Sequence, residues 1–308
     1  MKSIKKKYCY IATYKLPANS IWQKYPIQDV FPNNEGLVSI FENDRYKLLA
    51  EIELDGKINS VIYELDTEEK FHNDNFHEFK TESLEVIINS LNRMQIAFIG
   101  LQNQNWYYTA ETKNNWTIST SILDYETGTK SLILGFDLRQ DLIMNCYLSQ
   151  DPPITLQSIF KVLEVDNDNI DKYIGRFLSL KSLSTDPLLH LISLFSLHEY
   201  INEYDEFFKL LFNTEIAGKS IVVNGSIVKL KFFDKFKCAR DFVAHSFLHG
   251  AKTLDTLKQF LKSDSSGNLL LFNRYNQDHI NLINEVIGEA QTIIQRYLRE
   301  QLGVHKLP

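Results

Sequence analysis

The chain has 308 residues, 44% of them apolar and 23% charged, with a net charge of −6 at pH 7. That length suits about two globular domains, and with seven prolines and twelve glycines a disordered or low-complexity chain is excluded. No apolar run nears the ~18 residues of a membrane-spanning helix, and the acidic total opposes a general polyanion-binding surface.

Three widely spaced cysteines (Cys9, Cys146 and Cys238) form neither a disulfide framework nor a zinc ribbon. The apolar stretch behind the basic start (Lys2, Lys5 to Lys7) stops at Lys15 with no small-residue cleavage site, so no signal peptide is expected. The expectation is a soluble, cytoplasmic protein with no membrane partner. Charge is uneven: residues 168–308 carry 17 basic and 16 acidic side chains, and the preceding 167 carry 16 and 23.

Up to residue 150 the dominant period is two. Tyr8 to Leu16, Gly36 to Phe41, Tyr46 to Leu54, Val61 to Leu65, Trp106 to Thr109, Thr117 to Leu123 and Leu132 to Leu138 read as strands. They are short, rich in β-branched and aromatic residues, and divided by turn signals such as Asp55-Gly56 and Thr127-Gly128. One segment differs: Ser83 to Phe98 has apolar residues at helical spacing, with Thr81 or Ser83 as N-cap. This half reads as α+β with an antiparallel sheet.

Two consecutive prolines, Pro152 and Pro153, neither continue a helix nor sit in a central strand, and they place a domain boundary at 150/151. Beyond them the period becomes 3.6. Ile170 to Leu180, Pro187 to Phe212, Phe232 to Leu248, Thr253 to Leu261 and His279 to Leu302 read as helices, with His198 as a core or edge residue of the second. Between them Asn224-Gly225, flanked by β-branched residues, marks a hairpin over Ser220 to Leu230. The fold class expected is therefore α+β: a β-rich domain over 1–150, then a helical bundle over 151–308 with a small hairpin inserted.

Within that bundle one segment carries chemistry: Arg240-Asp241, then His245, late in the helix Phe232 to Leu248. An Arg followed by a polar residue and, five positions on, a His resembles the signature of the HEPN superfamily, as do the late helical position and the long closing helix. The resemblance covers residues 165–303. It implies a metal-independent endoribonuclease in which Arg240 and His245 are catalytic and Asp241 is the motif's polar residue. It also implies no cofactor, and a homodimer through the helical domain that brings two Arg/His pairs together. Proteins of this kind are commonly toxins or anti-phage defence effectors, so a protein partner or trigger is expected at the N-terminal domain.

The residue types suit RNA cleavage through the substrate's own 2′-hydroxyl. A His near neutrality moves protons, and an Arg fork stabilises the charge that grows on phosphorus. Five residues turn a helix by ~500°, so Arg240 and His245 stand ~140° apart in projection and one copy makes a sparse site. Lys229, Lys231, Lys235 and Lys237 lead into the motif with one acid, Asp234, among them, and are expected to contact the RNA backbone. His249, one turn past His245, is a further RNA contact or a C-terminal cap. The bland alternative makes the neighbouring phenylalanines core, the lysines a solvated face and Arg240 the ion-pair partner of Asp241 or another acid. The function then is a non-catalytic HEPN-like dimerisation or RNA-binding adaptor.

Other constellations point elsewhere or nowhere. His245 and His249 lack the glutamate of a zinc helix, and His72, Asp74, His77 and Glu78 read as a solvated turn. Ala217 to Ser220 only mimics the tail of a phosphate loop, and Cys238 reads as core. No metal site is expected.

Overall fold

The computed structural model describes residues 6–16, 20–24, 26–30, 36–98, 114–140, 154–180, 183, 185–245, 251–261 and 271–304. The chain divides into two compact units, Met1–Asp171 with Arg299–Pro308, and Lys172–Leu298. Among the described residues no helix is long and apolar enough to cross a membrane.

The first unit is built on a six-stranded antiparallel sheet in the order β2-β3-β4-β1-β5-β6. Its elements are β1 (Tyr8–Lys15), a short α1 (Ile21–Lys24), β2 (Leu37–Glu42), β3 (Lys47–Ile52), β4 (Ile58–Thr67), α2 (Asn73–Phe98), β5 (Asn114–Asp124), β6 (Lys130–Gln140) and α3 (Leu156–Leu163). Central β1 is buried on both faces. Tyr10, Ala12 and Tyr14 are buried towards α2, where Tyr10 meets the Phe79 ring at 5.5 Å. On the opposite face Cys9 and Ile11 join Leu49 and Ile62 in a second apolar cluster. The Asp55-Gly56 turn needs its glycine twice over: φ is +85°, and a Cβ there would lie 2.8 Å from the Ile27 carbonyl oxygen.

Helix α2 begins ten residues before the expected start. Thr81 Oγ1 donates to the His77 carbonyl and Ser83 Oγ to that of Lys80, so both hydroxyls bond back into the helix instead of capping it. The added turns carry Phe76 and Phe79 into the ring cluster with Tyr10. They also place His72, Asp74, His77 and Glu78 at the exposed start of α2, and no group of three His, Cys, Asp or Glu that could hold a metal ion occurs among the described residues.

Helix α3 was not expected, and it displaces the boundary. Thr155 caps it by accepting from the Ser158 N–H, and the segment is tied to the first unit: Gln28 N–H donates to the Ile154 carbonyl at 2.8 Å, and Asp29 Oδ1 accepts from the Leu156 N–H. The division therefore falls at 171/172. The expected strand Trp106 to Thr109 and the prolines at 152–153 lie outside the described residues.

The second unit holds most of α4 (Asp168–Leu180), then α5 (Pro187–Asn202), α6 (Glu206–Phe212), the hairpin β7 (Glu215–Val223) and β8 (Ser226–Lys231), α7 (Phe232–Ala244), α8 (Ala251–Lys258) and α9 (Gln277–Gln301). The single helix expected over 187–212 is two. Asp205 ends the run by capping α6 through the Phe208 N–H, and its other oxygen accepts from Tyr297 Oη at 2.7 Å. The hairpin turns at Asn224-Gly225, both residues at positive φ (49° and 79°).

His198 lies in the core at 2% exposure, ringed by Phe195, Phe208, Phe212, Phe233 and Phe236 at centroid distances of 4.4–5.8 Å. Its Nδ1 is buried without a hydrogen-bond partner. Burial pushes its pKa down from 6.5 to about 4, so the unfolded chain takes up the proton first as pH falls. The stability this contributes is complete above pH 6.5 and lost on the way down through about 4, on the order of 3 kcal/mol. His198→Phe is expected to remove that dependence. Urea unfolding at pH 7 and pH 4.5 checks it: the variant should lose less stability than the wild type between the two.

Candidate functional site

The sequence motif sits at the C-terminal end of α7. That helix starts where β8 ends: the Lys231 N–H donates to Asp234 Oδ2 at 2.9 Å, and Phe232, Phe236, Ala239 and Phe242 bury its inner face. It ends sooner than expected, at Ala244, with His245 at the C-cap donating its backbone N–H to the Asp241 carbonyl. His249 lies outside the described residues.

Arg240 is neither in the core nor freely solvated. Its guanidinium lies over the Phe195 ring of α5 with the central carbon 4.1 Å from the centroid, its Nη1 is 2.8 Å from Asp241 Oδ1, and its Nη2 is 3.9 Å from Glu199 Oε1. The side chain keeps 25% of its surface exposed, while Nε is buried without a partner. His245 is exposed. Asp241 and His245 are one helical turn apart and so share a face, joined through the backbone by the His245 N–H on the Asp241 carbonyl at 3.0 Å. The structure thus brings Arg240, Asp241 and Glu199 into contact, and the exposed His245 side chain makes no hydrogen bond or ion pair among the described residues.

The basic stripe divides. Lys229 and Lys231 on β8 and Lys237 on α7 are exposed, with Lys229 Nζ 2.8 Å from Glu215 Oε2. Lys235 is not on that face. It is 4% exposed, and its Nζ lies 2.6 Å from Glu285 and 2.9 Å from Glu289, both on α9, with the Phe260 ring 5.2 Å away. Phe232 and Phe236 are core, and Arg240 pairs with Asp241 at the partly exposed edge, two features the bland alternative expects.

Two residues of this site escaped the sequence reading, Phe195 and Glu199. Their i, i+4 spacing puts them on one face of α5, but the contact with α7 is tertiary and no local pattern announces it. Cys238 is a core residue whose thiol is pushed up to about 12 by burial, which makes it inert as a nucleophile. Ala217 to Ser220 falls within β7, where Lys219 Nζ donates to the Gln259 carbonyl; it cradles no phosphate loop. No family model, curated protein or solved structure matches the chain.

Proposed function

We propose that this chain is a metal-independent endoribonuclease of the HEPN type, active as a two-fold dimer through its helical unit and serving as a toxin or anti-phage defence effector. One observation carries the reading: the seating of Arg240. Its guanidinium is propped on the Phe195 ring, partly exposed towards the end of α7, the helix whose C-cap is the exposed His245. A planar fork held by stacking can meet two phosphate oxygens with little further loss of rotamer freedom. In this mechanism Asp241 positions Arg240, His245 transfers protons to or from the 2′-hydroxyl and the leaving 5′-oxygen, and Lys229, Lys231 and Lys237 draw in the backbone. A protein trigger acts through the β-rich unit. The test is incubation of the purified chain with total cellular RNA in chelator, with analysis of the ends. Cleavage that leaves 2′,3′-cyclic phosphate and 5′-hydroxyl supports the reading.

The second reading, a non-catalytic dimerisation or RNA-binding adaptor, is favoured by a specific contact: Asp241 at 2.8 Å already neutralises Arg240. Inertness towards RNA with retained binding would select it. The catalytic reading expects a dimer. A single Arg/His pair is too sparse for two proton transfers, so light scattering at micromolar concentration should give about twice 35.9 kDa. A strict monomer that cleaves RNA would sink the dimeric mechanism.

A further inference from the structure

The first unit contains a cleft of about 570 Å³ between the β2–β3 turn, one side of α2 and the segment from the end of α3 into α4. Its lining carries two arginines against four carboxylates, and both cations are already spent. Arg93 on the floor grips Asp171 through two contacts, Nε to Oδ1 at 2.6 Å and Nη2 to Oδ2 at 2.9 Å, and its Nη1 donates to the Val165 carbonyl. Arg45 at the rim pairs with Glu82 at 3.0 Å. What remains is negative. The carboxylates of Glu85, Glu164 and Asp166 make no hydrogen bond or ion pair among the described residues.

A second observation points to a ligand. Ser90 lines this cleft at 7% exposure, and its hydroxyl has no hydrogen-bond partner among the described residues. That hydroxyl opens into the cleft, where it can accept a hydrogen bond from a bound donor. On one side of the cleft Phe41 and Tyr46, with ring centroids 5.6 Å apart, add an apolar edge.

These features select the chemistry of the occupant. The negative lining opposes phosphate and carboxylate ligands. A single metal ion needs its ligands gathered, and no three His, Cys, Asp or Glu among the described residues are so gathered. Separated carboxylates, an inner hydroxyl acceptor and an aromatic edge suit an extended cation in which ammonium groups alternate with methylene segments. The volume is that of a small-molecule site. We propose that this cleft binds an aliphatic polyamine, its ammonium groups on Glu85, Glu164 and Asp166, one reaching Ser90, and its methylenes against Tyr46.

Calorimetric titration of the full chain with spermidine tests this. One molecule should bind per chain, more weakly as salt is raised because the carboxylates are at the rim. The double variant Glu85→Gln, Asp166→Asn should weaken binding by about tenfold or more, and Ser90→Ala by several-fold, since each lost charge-assisted contact is of that order. Glu126→Gln, at the exposed β5–β6 turn, should leave it unchanged. Circular dichroism confirms that each variant folds. No binding at millimolar spermidine, or equal affinity in the double variant, overturns the proposal, the latter by showing diffuse attraction to an acidic surface. Tetralysine binding as tightly as spermidine also overturns it, by making the cleft a peptide site.

Discussion

His245→Ala is expected to lose RNA cleavage by about 10²–10⁴-fold while unfolding at the temperature of the wild type. The imidazole is the proton-transfer group of the proposed reaction, and removing such a group costs that much. The side chain is exposed at the C-cap of α7, so its truncation should cost within ~0.5 kcal/mol of stability. Arg240→Ala should lose activity to a similar degree, but there the structure changes the control. Truncation would strip the Phe195 ring and leave Asp241 without its counter-charge, so some stability goes with it. The discriminating variant is Arg240→Lys. It keeps a cation near Asp241 but loses the planar fork, and a bidentate phosphate contact does not survive that exchange. Cleavage falling in Arg240→Lys at unchanged melting temperature assigns the fork to the phosphate. If the wild type is inert in chelator, or His245→Ala still cuts, the pair is structural.

Much of the architecture was legible because it is local. The aromatic and β-branched residues of Tyr8 to Leu16 identify a strand, and Asn224-Gly225 specifies a hairpin because two successive residues must adopt positive φ. Two of the differences turn on polar side chains whose type alone does not say whether they bound a helix. Thr81 and Ser83 resemble caps, yet their hydroxyls are satisfied within α2. Asp205 lies within a continuous apolar pattern, yet it caps α6 because Tyr297, distant in sequence, holds its second oxygen. Helix α3 has only eight residues, too few for periodicity to register. At the candidate site the motif was visible, whereas the seat of Arg240 on Phe195 and beside Glu199 arises from helix packing.

Lys235 shows where a signal was present and missed. Counted as one of four lysines in a row it belongs to a solvated stripe, but its helical phase says otherwise: residues 232, 235, 239 and 242 fall on one face of α7, and the other three are core. Across from it Glu285 and Glu289, an i, i+4 pair on α9, supply the carboxylates that a buried amine requires.

Lys235→Glu should accordingly unfold or severely destabilise the protein instead of merely weakening an RNA contact. The substitution puts a third carboxylate, nearly buried, within reach of two others, and an uncompensated buried charge costs about 3–5 kcal/mol. That is a large share of the whole stability of a domain. Lys235→Met should be far milder, below about 1.5 kcal/mol, because it fills a similar volume and leaves Glu285 and Glu289, 59% and 43% exposed, hydrated. Lys237→Glu, two residues on and exposed, should fall within ~0.5 kcal/mol of the wild type. Urea unfolding of the three variants at constant slope measures the ordering. Should Lys235→Glu prove as stable as Lys237→Glu, the amine is not enclosed by Glu285, Glu289 and Phe260, and Lys235 returns to the exposed stripe as a backbone contact.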